Sequence, residues 1–280
     1  MMLIRVALAV SLLLGLAVPT SGSESTFPDI QRVLDSGKLR VAILARDAPP
    51  MIMTDNKGAP IGFEVDHALD IGKKLGVDVE LVRTAKTSDG VVDLVARKEA
   101  DIAVSFLSSG VRRAKKVLLS KPYVTQSHRV FYNRARFAEL RREWPVETIE
   151  QLAATKAAET LTVGVLEGTI YSEMFEEDLP GFPVRPYQTV PEIVAAVREG
   201  RIFAGRHGEV ELDYYMRQNP GAAIYVAVEP TGRPDDIRIA VRPDAPNLLR
   251  WLNVYLDKNV GVLDSAAVIQ RYEKGPAQPK

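Results

Sequence analysis

Two stretches of this sequence repeat one order of elements, and that order restricts the fold more than any other feature of the chain. Leu39 to Ala45 holds the near-continuous apolar run Val41, Ala42, Ile43 and Leu44, the pattern of a strand buried on both faces. From Asp66 to Leu75, with Val65 just ahead, Ala68, Leu69, Gly72 and Leu75 share one helical face, and Gly76 stands where a left-handed cap is favoured. Val77 to Val82 alternates as a second strand, Val91 to Lys98 has helical spacing, and Asp101 to Leu107 is a third strand. The same order returns as strand Leu161 to Leu166, helix Tyr171 to Glu177, strand Phe182 to Tyr187, helix Pro191 to Glu199 and strand Arg201 to Gly205. A β-α-β-α-β order predicts an α/β fold in which each unit is a doubly wound, mostly parallel sheet flanked by helices. Two units fall short of the three that a repeat array needs. Residues 131 to 159, charged and interrupted by Pro145, read as a surface connection plus a short helix.

Charge and motif content then remove several function classes. The 36 Lys plus Arg balance 36 Asp plus Glu, so no global field gathers phosphate or anionic lipid, and nucleic acid and membrane surface are not expected partners. There is no cysteine, and the three histidines, His67, His128 and His207, lack metal-ligand spacing. No metal and no cofactor is expected. No nucleophile elbow, zinc-protease helix or P-loop motif occurs. At the N-terminus, Arg5 precedes the uncharged stretch Val6 to Val18, followed by small residues at Thr20, Ser21, Gly22 and Ser23. The apolar stretch is short against the about 20 residues of a membrane span. Residues 1–24 therefore read as a cleaved secretory signal peptide, which places the mature protein in the periplasm.

Ser and Gly clusters fall at the C-terminal ends of two strands, where open parallel sheets bind ligands. They are Ser105-Phe106-Leu107-Ser108-Ser109-Gly110 and Glu167-Gly168-Thr169. The second also opens a helix, whose free N–H groups favour an anion. Around these clusters the chain carries KLRVAI (38–43), APP (48–50), GFEVDHALDIGKKLGV (62–77), ADIAVS (100–105), RAKKVLLSKPY (113–123), VGVLEGT (163–169), EGRIFAG (199–205), IRIAVRPDAPNLLRWLN (237–253) and VGVLDSAAVIQRY (260–272). In that order and spacing the chain resembles the periplasmic solute-binding proteins of amino-acid ABC importers, family 3.

The resemblance implies a two-lobed type II periplasmic-binding-protein fold, with lobe 1 from 25–125 and 240–280, lobe 2 from 126–239, and two crossover strands as hinge. Segment 237–243 is expected to be the return crossover. It implies a non-enzymatic monomer that captures a small carboxylate-bearing solute, an amino acid or related organic acid, and delivers it to an inner-membrane ABC permease. By the same resemblance Arg113 holds the ligand carboxylate, which suits a guanidinium fork. Ser105 and Ser108 supply further partners, and Thr169 with the N–H of Ile170 closes from the second lobe. Three positions depart from the family pattern. Gly110 replaces a threonine, Met51 an aromatic residue, and Gly208 the acid that holds the ligand's α-amino group. Glu209, Asp47 or Glu167 is then left to supply that charge, and Phe106 makes an apolar wall. A carboxylate without an amine fits this inventory better than lysine or arginine does, because a buried ammonium needs a partner. A different class of reading is a periplasmic enzyme on the same scaffold, similar to cyclohexadienyl dehydratase, with Glu167 or Glu209 as the acid. A third is a diverged scaffold that docks another exported protein.

Intact-mass measurement of periplasmic extract is expected to show a mature N-terminus between Gly22 and Ser25. A full-length chain embedded in the inner membrane contradicts this reading.

Overall fold

A computed structural model describes residues 27–171, 175 and 179–272; the side chains of 232 and 233 are left aside. The signal-peptide residues and most of the helix expected at Tyr171 to Glu177 lie outside the described residues, although Tyr171 and Phe175 are helical. Strands in chain order are β1 (Lys38–Ala42), β2 (Met53–Thr54), β3 (Pro60–Ile61), β4 (Asp78–Val82), β5 (Ile102–Ser108), β6 (Leu118–Asn133), β7 (Val163–Leu166), β8 (Val184–Tyr187), β9 (Ala204–Gly208), β10 (Val226–Val241) and β11 (Leu263–Asp264). Apart from the β2–β3 pair, they form one sheet in the order β4-β1-β5-β10-β6-β9-β7-β8, with β11 beside β6. In the first unit β1 pairs in parallel with β4 and β5. In the second, β7 pairs in parallel with β8 and β9. Both units thus place their first strand in the middle, an order in which right-handed β-α-β crossovers put helices on both faces of the sheet. The type II periplasmic-binding-protein fold expected from the sequence is the fold observed.

Two cores follow from this layout. One joins Val41, Ile43, Ile71, Val91, Ile102, Val104 and Leu248 around the first unit. The second unit is packed on both faces of its sheet, by Val130, Ile149, Val163 and Phe175 on one side and Phe131, Ile193 and Val197 on the other.

Several expected boundaries move, each for a local reason. The first long helix begins at Phe63, not Asp66. Gly62 takes φ 120°, and a Cβ there would lie 2.6 Å from the Met51 carbonyl oxygen, so the chain turns tightly into the helix and ties it to the Met51 loop. The strand expected at Arg201 to Gly205 is Ala204–Gly208. Gly200 at φ 71° ends the preceding turn, and Arg206 and His207, just past the end of the strand expected from the sequence, lie buried in the sheet. Residues 131 to 159 contain two helices, Arg134–Glu143 and Ile149–Ala153, rather than one. The remaining difference is large: β6 and β10 are each 16 residues long.

One buried carboxyl links these elements to the ligand side. Glu64, in the first turn of the Phe63–Leu75 helix, is fully buried. The Tyr123 hydroxyl of β6 donates to its two oxygens at 3.0 and 2.8 Å, and the N–H of Phe106 in β5 also reaches it. Phe106 takes φ 49°, which is costly for a bulky residue and needs such a tether. Burial pushes the Glu64 carboxyl up to about 7 from 4.5, against the lowering effect of the Tyr123 and Phe106 hydrogen bonds. Because the folded form holds the proton more tightly, Glu64 contributes fully below about pH 4.5 and less as the pH rises through about 7. Burial moves His67 the other way, to about 4 from 6.5, but it does so equally in wild type and in Glu64→Gln. Urea unfolding should therefore show wild type losing stability relative to Glu64→Gln as pH rises from about 4.5 to about 7. A difference that stays constant across that window contradicts the buried-carboxyl account.

Candidate functional site

The C-terminal ends of β1, β5 and β7 meet over the paired strands β6 and β10, and a cavity of about 40 Å³ lies there. Of the residues expected in a ligand site, Met51, Ser105, Phe106, Ser108, Arg113, Thr169 and Ile170 all line it. Arg113 is 4% exposed, whereas its neighbours Arg112, Lys115 and Lys116 are exposed, so it does not belong to a solvated basic face.

Its guanidinium is already partly engaged. Nε and Nη2 donate to Asp89 Oδ1 at 3.2 and 3.1 Å, and Nη1 donates to the Ser108 carbonyl at 2.8 Å. Asp89 sits in the first turn of the Ser88–Ala96 helix, whose N-cap Thr87 accepts from the Gly90 N–H. A guanidinium carries five N–H donors, so Arg113 is oriented by its own chain and keeps donors for the cavity it lines. Sequence reasoning missed Asp89, since a T-S-D-G start reads as an ordinary helix cap.

Behind the lining residues Ser108 and Tyr171 lies a buried polar cluster. Between Thr231 and Asp235 the pairing of β10 with β6 shifts register, and the bulge brings Asp235 beside the end of β5. Its Oδ2 accepts from Ser108 Oγ at 2.7 Å and Gln126 Nε2 at 3.2 Å. His128 Nε2 stands 3.4 Å from the same oxygen but is too poorly aligned to hydrogen-bond. Gln126 Oε1 in turn accepts from the Val210 N–H. The Tyr171 ring packs edge-on against His128 and His207. Burial pushes its hydroxyl well up, with the Asp235 and Glu211 charges adding to the shift and a hydrogen bond with Ser108 opposing it.

The acid of this site is Glu211. Neither Glu209, Asp47 nor Glu167 is among the lining residues, and each is committed elsewhere. Glu209 accepts from the Ser127 N–H, Arg129 and Ser265 Oγ. Asp47 accepts from Thr54 and from Arg83, the latter at 2.6 Å. Glu167 is exposed and takes a hydrogen bond from Gln188. Gly208 does not line the cavity either; a Cβ there would meet Gln126 Nε2 at 2.6 Å and the Tyr171 hydroxyl at 2.7 Å, so the position has no room for an acid without displacing both. Glu211 lies in the first turn of the Glu209–Gln218 helix. Its Oε2 is 2.7 Å from His207 Nε2, and its Oε1 is 3.9 Å from Arg46. Burial pushes this carboxyl up, but His207 and Arg46 outweigh it and hold it below the usual range. Oε1 has an ion-pair neighbour beyond hydrogen-bond reach, so it keeps lone pairs for a donor.

The two units touch around the cavity. The Asp89 N–H donates to the Gly168 carbonyl at 3.1 Å. A Cβ on Gly110 would lie 2.5 Å from Ile170 Cδ1, and one on Gly168, which has φ 63°, would lie 2.5 Å from Thr87 Cβ. The absence of a side chain at Gly110 is therefore what lets Ile170 approach. A volume near 40 Å³ holds about three waters, so this is a shut cleft. An apolar recess of about 220 Å³ adjoins it beyond Glu211, lined by Pro49, Val190, Pro191, Tyr214, Tyr215 and Gln218.

Over residues 39–261 the chain matches the bacterial extracellular solute-binding proteins, family 3. It is 28% identical to the L-cystine-binding protein TcyJ of Escherichia coli (strain K12), over 70% of this chain and 67% of that one. It is 27% identical to the arginine-binding periplasmic protein of Mannheimia haemolytica, over 59% and 60% of the two chains. Among solved structures it resembles the ancestral amino acid-binding protein AncCDT-1, described as a precursor of cyclohexadienyl dehydratase. That likeness has a TM-score of 0.69 and 26% identity, and covers 89% of this chain and 99% of the other. With four fifths of its length matched and its cleft formed at the strand ends of two parallel units, the chain belongs to the bacterial extracellular solute-binding proteins of family 3.

Proposed function

We propose that this chain is the periplasmic capture component of an ABC importer and that its solute is an α-amino acid. The lobe division expected from the sequence, 25–125 with 240–280 against 126–239, is kept in this reading, with β6 and β10 as the hinge; of the first lobe only 27–125 and 240–272 are described. The ligand carboxylate sits on the remaining N–H groups of Arg113, and Ser105, Ser108, Thr169 and the Ile170 N–H complete that end. Its ammonium sits on Glu211. The observation that carries this reading is that an oriented guanidinium from one unit and a carboxylate held in its charged form from the other line the same small cavity. The amine-free preference expected from Gly208 loses its basis, because Glu211 supplies the charge that an ammonium needs. The recess beyond Glu211 gives room for an apolar side chain. The shut cleft is too small for such a ligand, so binding requires the lobes to part and close again, which lets a membrane permease distinguish loaded from empty protein.

A dehydratase needs an acid over its substrate. Glu167 and Glu209, the sequence candidates for that role, are engaged outside the cavity, and Glu211, held below the usual range, is charged at neutral pH. The capture reading fits these groups better. A scaffold that has lost its ligand gains no stability from any small molecule.

In a thermal-shift panel of L-amino acids, at least one should stabilise the mature protein, and calorimetry should find its amine-free analogue weaker. Arg113→Ala is expected to weaken that amino acid by about 2 to 5 kcal/mol, and Glu211→Gln to remove the advantage over the analogue, with Lys115→Ala silent. Equal losses from Arg113→Ala and Lys115→Ala contradict the clamp, and an unchanged preference in Glu211→Gln contradicts the ammonium site.

A further inference from the structure

A second cavity, of about 290 Å³, lies between the Phe63–Leu75 helix and the segment from Tyr255 to Arg271, and it shares no residue with the cleft. His67 lines it, is only 7% exposed, and has no hydrogen-bond partner on either ring nitrogen. A buried polar group without a partner is costly, and such a group in a native fold marks an unfilled contact. One turn of the same helix also presents Asp66 and Asp70 to the cavity. Tyr272 donates to Asp66, and the Tyr255 hydroxyl donates to Asp70 at 2.7 Å, so each carboxylate retains acceptor sites. A π-helical turn, Leu256–Val260, brings in Asn259, whose amide N–H donates to the Tyr255 carbonyl and whose side-chain oxygen is left as an acceptor. Arg271, 3.9 Å from Asp66, stands at the exposed side. The polar part of this otherwise apolar wall therefore carries two carboxylates and further acceptors against one guanidinium. The Tyr255 ring lies 5.9 Å from the His67 ring and the Phe63 ring 6.2 Å from it.

From this arrangement we infer that the cavity is a second binding site for a small organic ammonium, with N–H groups on His67 and Asp70 and an apolar body against Phe63 and Tyr255. Burial holds His67 to about 4, so at neutral pH its ring is uncharged and one nitrogen accepts. Ammonium over an aromatic face adds attraction of its own. Among the described residues no group of three or more His, Asp and Glu is placed to hold a metal ion. This site does not depend on the reading of the cleft.

The test is a titration of the full mature chain with 2-phenylethylammonium, followed through the ring signals of the three histidines. His67 is assigned by the signal lost in His67→Phe. The His67 signal should move saturably while those of His128 and His207, beside the cleft, stay in place. The uncharged 2-phenylethanol should bind at least about tenfold more weakly, and Asp70→Asn should weaken the ammonium by about tenfold. Unchanged His128 and His207 signals in Asp70→Asn report that the fold is intact. No saturable shift at His67, an equal response to the alcohol, undiminished binding in Asp70→Asn, or movement confined to the cleft histidines overturns the inference.

Discussion

Val226 to Val241 lies antiparallel to Leu118 to Asn133 over nearly its whole length, from Val226 opposite Asn133 to Val241 opposite Leu118. Everything else is built on that pair. On one side β10 takes β5 and through it the first parallel unit; on the other, β6 takes β9 and the second. The only large interruption, between Thr231 and Asp235, falls at mid-length, next to the cavity. A bulge spends ladder hydrogen bonds and redirects a side chain in exchange. Here the redirected residue is Asp235, which fixes Ser108 and Gln126 and so holds the end of β5 and the start of the Glu209–Gln218 helix against one cluster. In the capture reading the hinge and the backing of the ligand site are the same stretch of sheet.

The parallel strands were legible because they are buried on both faces and read as apolar runs: Val41 to Ile43 and Ile102 to Val104 are wholly buried. Part of the cavity lining was legible too: Ser105, Phe106, Ser108, Thr169 and Ile170 sit at or just past the ends of those strands. The long pair was not. Pro122 and Pro230 lie within it, and proline argues against a central strand. Pro122 is opposite Arg238, where the register shifts on both sides, so the sheet accommodates it at an irregularity. Likewise Glu211 was hidden behind Glu209. Residues two apart on a helix point about 200° away from each other, so a helix that turns Glu209 toward Arg129 and Ser265 turns Glu211 toward the cleft. The His207 and Glu211 pair, four residues apart across the strand-to-helix junction, was the available signal.

Charge balance holds the two ends of the cavity in place. The buried Arg113 is paired with the partly exposed Asp89, and losing Asp89 would leave the guanidinium short of a counter-charge; the carbonyl of Ser108 fixes the plane of the guanidinium. Opposite it, Glu211 is kept charged by His207 and Arg46 rather than by solvent. At position 208, where the sequence resemblance leads one to expect an acid, Gln126 and Tyr171 fill the space, and the carboxylate that lines the cavity is Glu211. Gly110 and Ile170 make a complementary pair, a small residue on one unit admitting a larger one from the other.

The central claim is that one cleft joins Arg113 and Glu211 on a single zwitterion. Mass spectrometry of the small molecule released from purified, denatured mature protein tests it most directly. The account predicts an α-amino acid in near-stoichiometric amount. A carboxylate or dicarboxylate without an amine, at the same occupancy, contradicts it.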